Sequence, residues 1–293
     1  MRLAEEFVVG YSCIDTIFSC KDTLLVEKFV SLRKDTNYLT IYDTYFMNYP
    51  TLNYPPIHLR ARRTKDGRTE VFDAVRGRWL VLTPEEWVRR HIVEYMLSAC
   101  GFAEVMNNSL TKSSYYENSE LFPAERCVKI MNPLSADLGA MRQTLLYGLL
   151  ENVELNINHK AQSVRIYEFG NTYTFLPERK EEGGLAPYEE GMRLAVAVSG
   201  LRSSQSWNSK AEVSDFFTLK AVAEKIVRRF GMDFYTLRSE PLTNENFSEG
   251  LSLKAGNKEL IQIGTISPKL RKKFDLKVGV YYMDVDFDTL VKY

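Results

Sequence analysis

Short apolar runs in this chain break at two-residue turn signals. A chain built that way folds as paired antiparallel strands, not as a regular series of parallel crossovers. Ile57-His58-Leu59-Arg60-Ala61-Arg62 alternates before Lys65-Asp66-Gly67, and Val71-Phe72 and Trp79-Leu80-Val81-Leu82 follow. Residues 251–254 and 260–263 flank Gly256-Asn257 in the same manner. Asp-Gly and Gly-Asn pairs favour the positive φ angles of tight hairpin turns. Further strand material lies at 164–169 and 172–175 around Gly170-Asn171, at 194–198 closed by Gly200, and at 280–286. Helices intersperse these strands, so the expected class is α+β with a mixed, mainly antiparallel sheet flanked by helices.

The sharpest helix signal begins at Thr83. That residue reads as the N-cap, Pro84 takes the first helical position and Glu86 completes a capping box. Trp87, Val88, His91, Ile92, Tyr95, Met96 and Ala99 share one face, Glu85, Arg89, Arg90 and Glu94 fall largely on the other, and Gly101 ends the helix. A strand over 103–110 follows, then a short one around 128–131 and a turn at Asn132-Pro133-Leu134-Ser135. Helices are expected near 142–156, where Gly148 marks close packing, over 215–230 and near 268–274. Residues 1–50 show no period, and Tyr49-Pro50 and Tyr54-Pro55-Pro56 punctuate the chain after them. The expected organisation is an unassigned segment over 1–52, a small β-rich extension over 53–83 and one main domain over 84–293.

Composition narrows the function classes. Lys+Arg and Asp+Glu number 38 each in 293 residues, so nucleic-acid contact requires a local patch. One basic stretch spans Arg60 to Arg78, where cation-bearing edge strands are the simpler reading and a phosphate-binding face the sharper one. Cys13, Cys20, Cys100 and Cys127 form no CxxC pair and read as free thiols. Acids near the N-terminus and the lack of a long apolar run point to a cytoplasmic chain without a membrane segment. No P-loop, GxGxxG, GxSxG or HExxH is present, and His58, His91 and His159 are the only histidines. No residue is singled out as catalytic, metal-binding or cofactor-binding.

A set of separate motifs carries the reading further. They are Gly101-Phe102-Ala103-Glu104-Val105-Met106-Asn107-Asn108-Ser109-Leu110, Asn132-Pro133-Leu134-Ser135, and Met141-Arg142-Gln143-Thr144-Leu145-Leu146. Tyr167-Glu168-Phe169-Gly170-Asn171, Asp215-Phe216-Phe217-Thr218-Leu219-Lys220 and Gly264-Thr265-Ile266-Ser267-Pro268 follow in order. Over residues 97–291 the chain resembles the synthetase-like module of the beta chain of bacterial phenylalanine–tRNA ligase. The resemblance implies a class II synthetase fold in a degenerate, non-catalytic copy of the alpha chain. It also implies a holoenzyme that uses ATP and Mg, and as partners a catalytic alpha chain and, through the assembled enzyme, tRNA. The family's first-motif helix builds the subunit interface, which places Trp87, Val88, His91, Ile92, Tyr95 and Met96 against the alpha chain; the plainer alternative is that this stripe packs on the chain's own sheet. In class II enzymes a second-motif hairpin and a third motif supply arginines that clamp phosphate. Here the hairpin reads Gly170-Asn171-Thr172-Tyr173-Thr174-Phe175, and Asp284, Asp286 and Asp288 stand where the other clamp belongs, as acids that would repel ATP.

The stretch before residue 84 departs from that family. The tRNA-binding and editing domains that the family carries upstream find no match here, and the chain ends before the family's anticodon-binding tail. Residues 53–96, with Phe72-Asp73-Ala74-Val75-Arg76 and Leu82-Thr83-Pro84-Glu85-Glu86-Trp87, instead resemble an N-terminal segment of type I restriction-enzyme R-subunit proteins. That resemblance, with the basic stretch, gives the alternative of a DNA-binding, restriction-related protein. The nuclease acids of that family do not follow downstream.

Overall fold

A computed structural model describes residues 39–41, 59–64, 66–73, 77–94 and 100–292 of the chain. Fourteen strands are formed among these residues: β1 (Leu39–Ile41), β2 (Leu59–Arg63), β3 (Thr69–Asp73), β4 (Arg78–Val81), β5 (Ala103–Glu104), β6 (Leu110–Thr111), β7 (Ala140–Met141), β8 (Ser163–Phe175), β9 (Tyr188–Ser203), β10 (Glu212–Val213), β11 (Arg238–Pro241), β12 (Phe247–Ala255), β13 (Lys258–Ile266) and β14 (Val280–Asp286). The helices are α1 (Pro84–Glu94), α2 (Leu146–Asn158), α3 (Phe216–Arg229), α4 (Pro268–Lys273) and α5 (Phe287–Leu290). The main sheet runs β11-β12-β13-β14-β9-β8-β5, with β10 on the end of β9. Every pair in it is antiparallel except β5 with β8. A second sheet, β1-β2-β3-β4, is antiparallel throughout. The mixed, mainly antiparallel α+β class expected from the turn signals is what forms.

Strand alternation gives the main sheet two apolar faces, and helices cover both. Leu194, Val196 and Val198 of β9 point with Tyr167, Phe169, Met283 and Val285 into a core shared with α1, α3 and α5. Ala195 and Ala197 point the opposite way, with Val164, Ile166 and Tyr282, beneath α2 and α4. α2 contributes Leu146, Leu149, Leu150 and Val153, each worth about 1.5–3 kcal/mol on burial. Leu59, Ala61 and Val71 of the small sheet join the α1 side of the first core. The segment 1–52 lies outside the described residues, apart from β1.

Several elements differ from the sequence reading. β8 runs unbroken through Gly170-Asn171, and the hairpin turns instead across the charged stretch 176–187. The expected strand 103–110 survives only as β5 and β6, and 128–131 keeps a single bridge at Lys129. Thr83 does cap α1, its Oγ1 accepting from Glu86 N at 3.1 Å, yet the Glu86 carboxylate turns to Arg89 and Arg90 instead of closing the box. The full box forms at α3, between Asp215 and Thr218. Cys100 and Cys127 are free thiols, while Cys13 and Cys20 lie outside the described residues.

Gly200 fixes the crossing of β8 and β9. Its φ is +78°, and a Cβ there would lie 2.2 Å from the carbonyl oxygen of Gln162. Both the left-handed backbone and the clash with main chain act against any side chain. Gly200→Ala is expected to lower unfolding free energy by about 2–4 kcal/mol in urea titration. A loss below about 0.5 kcal/mol would show that this crossing is not tightly fixed.

Candidate functional site

The register of the central strands sets a polar row at one end of the α2-covered face. Glu168 on β8 stands opposite Ala195 on β9, which stands opposite Asp284 on β14. One step along, Gly170, Arg193 and Asp286 form the next row. Two carboxylates thus flank the small Ala195 side chain, and each has its own arginine. Arg142, in the turn before α2, donates through Nη1 to Glu168 Oε1 at 2.6 Å and through Nε to the Asn171 carbonyl at 2.9 Å. Arg193 grips Asp284 with two bonds, at 2.8 and 3.2 Å, and lies 4.0 Å from Asp286.

Local sequence explains how Arg142 reaches that place. Its main chain is held on both sides, N–H to the Ser109 carbonyl and carbonyl from Tyr173 N–H. Its guanidinium lies over Gly170, where a Cβ would come within 2.2 Å of Nη2. Gly170 is therefore a space requirement, not a turn residue. Asn107 completes the site: its main-chain N–H and its Nδ2 both donate to Glu168, and its Oδ1 accepts from Asn152 on α2. Gly148 lets Asn107 approach α2, since a Cβ there would sit 3.0 Å from Asn107 Nδ2. Asn107, Arg142, Glu168 and Gly170, drawn from three separate sequence motifs, converge on one cluster around the buried Arg142–Glu168 pair. Asn107 and Asn152 were not singled out from sequence. Only the Asn107-Asn108 motif pointed toward them.

Tyr282 lies beneath this row, fully buried, and its burial pushes the phenol well above its ordinary value. Asp284 beside Arg193 raises the guanidinium's pKa further. Asp286 caps α5 by accepting from Thr289 N–H and Oγ1, and Asp288 accepts from Met192 N–H. The three acids expected to repel a nucleotide are thus partners within the fold, and for Asp284 the expectation is corrected, since its charge is paired with Arg193. The fit to ATP still fails, for a different reason. Both guanidiniums in the row are committed to carboxylates, and the strands beside them lie under packed side chains. Among the described residues no group of three or more His, Cys, Asp or Glu side chains could hold Mg. A cavity of about 280 Å³ opens beyond Arg142, lined by Asn107, Asn108, Lys112, Thr144, Gly148 and Glu151 among others. Lys112 there lies 3.6 Å from Glu151 and 3.9 Å from Asp137, and Tyr115 donates to Glu151.

The other motif residues are scattered. Phe169 packs on the opposite face against Phe287, and Gly264 gives way to the Phe247 ring, 2.4 Å from where a Cβ would stand. Asp215, Phe216, Phe217 and Lys220 open α3, with Phe217 exposed. Asn132 and Pro133 sit in an exposed loop. Trp87, Val88, His91 and Ile92 do not face outward: Trp87 is 4% exposed, and all four are buried within the chain. The described part of the α1 stripe packs on the chain's own core, which leaves these four side chains little surface to offer a partner. His91 is a packed histidine, its Nδ1 2.9 Å from the Trp87 carbonyl. Tyr95 and Met96 lie outside the described residues.

Arg89 and Arg90, placed by the sequence on the face opposite the apolar stripe, are buried as well. Arg89 meets Asp73 at 2.8 Å, Glu86 at 2.8 Å and Glu104 at 3.5 Å, and Arg90 meets Asp73 and Glu86 at 2.8 Å. The network ties β3 and β5 to α1. In the basic stretch, Arg62 pairs with Glu70 and stacks over Trp79, and Arg60 lies over Phe72.

The comparisons with known proteins agree with the motifs. The family described as "Phenylalanyl tRNA synthetase beta chain CLM domain" matches residues 80–287. The phenylalanine–tRNA ligase beta subunit of Bacteroides fragilis is 40% identical over 205 residues, 69% of this chain and 25% of the relative. That of Porphyromonas gingivalis is 37% identical over 204 residues, 68% and 25% of the two chains. The chain thus spans about a quarter of the length of these relatives. A pyrrolysyl-tRNA synthetase structure from Desulfitobacterium hafniense aligns over 71% of this chain and 74% of its own, at 15% identity and a TM-score of 0.49. The family match takes in α1, where the restriction-type resemblance had ended, and nothing supports that resemblance or the DNA-binding alternative drawn from it. With Asn107, Arg142, Glu168 and Gly170 meeting inside the matched span, the chain belongs to the phenylalanyl-tRNA synthetase beta chain family.

Proposed function

We propose that this chain acts as the synthetase-like module of a phenylalanine–tRNA ligase, docking on a catalytic alpha chain that uses ATP and Mg to charge tRNA with phenylalanine. The chain supplies framework and no reacting group, in a cytoplasmic assembly. One observation carries this reading: Arg142 and Arg193 each neutralise a carboxylate of the same fold, and so hold the hairpin in shape instead of holding a phosphate. The relatives' names support the partner and the substrate. No helix among the described residues is long and apolar enough to cross a membrane.

The alpha-chain contact lies away from the buried stripe of α1. Met131 and Leu134 are 93% and 96% exposed on the loop that carries Asn132 and Pro133, and two large apolar side chains at one loop tip suit a partner surface. Sedimentation velocity of this chain mixed with the alpha chain from the same source is expected to give one faster species. Leu134→Ser should weaken that association roughly tenfold or more while the melting temperature holds. Separate boundaries for the two unmodified chains would overturn the assignment.

A further inference from the structure

The segment from Arg202 to Arg229 departs from the charge balance of the chain. It carries six cations, Arg202, Lys210, Lys220, Lys225, Arg228 and Arg229, against three acids, Glu212, Asp215 and Glu224, in a protein whose net charge is zero. The acids are partly occupied: Asp215 caps α3, and Glu224 pairs with Arg228 at 2.7 Å. Cations in the last turn of α3 also complement the helix dipole, but Lys220 and Lys225 lie outside that turn.

Trp207 adds a different kind of group. It is 96% exposed, on the loop between β9 and β10. That loop is shaped by its own bonds: Ser206 N–H donates to the Ser209 carbonyl, and the Ser206 hydroxyl bonds Asn208 Oδ1 and the Ser209 hydroxyl. Apart from Trp207 and Ala211, the loop is made of Ser, Gln, Asn and Lys, with no acid between Arg202 and Ala211. A base-stacking platform sets aromatic side chains along a cationic groove, and here Trp207 lies between Arg202 and Lys210. The loop is anchored beside the start of α3, because Val213 pairs with Leu201, Ser214 N–H reaches the Gly200 carbonyl, and Arg202 lies within electrostatic reach of Asp215. A second exposed aromatic, Phe217, stands on the first turn of α3, and Ala221, Lys225 and Arg228 continue the same exposed face.

We propose that the Trp207 loop and the outer face of α3 form a binding surface for single-stranded RNA, with Trp207 and Phe217 stacking on bases and Lys210, Lys220 and Lys225 meeting the phosphates. It deepens the functional reading above, since it gives this chain an RNA contact of its own, separate from the alpha-chain surface at Met131 and Leu134.

The test uses the full chain and a fluorescein-labelled single-stranded RNA of roughly 12 nucleotides, followed by anisotropy and by tryptophan emission. The expected results are binding that quenches emission, a loss of about tenfold or more in affinity for Trp207→Ala, and a salt slope lowered by about 0.7 for Lys225→Ala. Trp207 is exposed, so its variant should melt with the parent. No binding at about 50 mM salt, or equal affinity of the parent and Trp207→Ala, overturns the proposal. So does protection of Trp207 from acrylamide by the alpha chain and not by RNA, which would make the loop a protein contact. Loss of alpha-chain association with RNA binding retained sinks the functional reading and leaves this proposal standing.

Discussion

Arg142→Leu is expected to destabilise the protein by about 3–5 kcal/mol, because it strands the carboxylate of Glu168, which is 1% exposed. Asn107 would still donate two hydrogen bonds to that carboxylate, but they cannot offset a lost guanidinium in a buried site. The double variant Arg142→Leu with Glu168→Leu should recover part of the loss, since apolar side chains can replace a buried pair at lower cost than a lone charge. Urea unfolding of parent, single and double variants measures this directly. A single variant that loses less than about 1 kcal/mol would show that the pair does not hold β8 to the turn before α2.

Which parts of this molecule were legible beforehand follows from where each signal resides. Hairpins at Gly67 and Gly256 and the cap at Thr83 are local chemistry, so sequence shows them, whereas the cap at Asp215 appears only in the structure. Gly170 is different. Its neighbour Asn171 makes it look like a turn, but the residue is small because Arg142 lies across it, and that partner is remote in the chain. The stretch 103–110 has strand composition, yet Asn107 gives its main-chain N–H to the Glu168 carboxylate, so no ladder can continue through it. Burial of Arg89 and Arg90 depended on Asp73 and Glu104, acids from two other elements. The stripe on α1 was read correctly as apolar. Periodicity alone does not say whether such a stripe meets a partner or its own sheet.

The family motifs were legible as words before their meaning was. Asn107, Arg142, Glu168 and Gly170 turned out to be members of one cluster, whereas Asn132, Pro133 and Phe217 are at the surface. The first group accounts for the shape of the hairpin. The second is where partner contacts are to be sought, and the experiments on Leu134 and on the Trp207 loop address it.

The largest expected effect concerns catalysis. An enzyme that activates an amino acid with ATP needs oriented cations on the developing phosphate charge, and removal of even one such donor commonly costs roughly 100- to 1000-fold in rate. In this chain the two arginines of the polar row are both spent on carboxylates of the fold. Phenylalanine-dependent ATP–pyrophosphate exchange should therefore be at background for the purified chain and present only when the alpha chain is added. The direct measurement is that exchange assay on protein shown to be free of alpha chain, run beside the mixture. Background alone with activity in the mixture is the predicted result. Robust exchange by the isolated chain would contradict the account, because Arg142 or Arg193 would then have to leave its carboxylate and serve a phosphate.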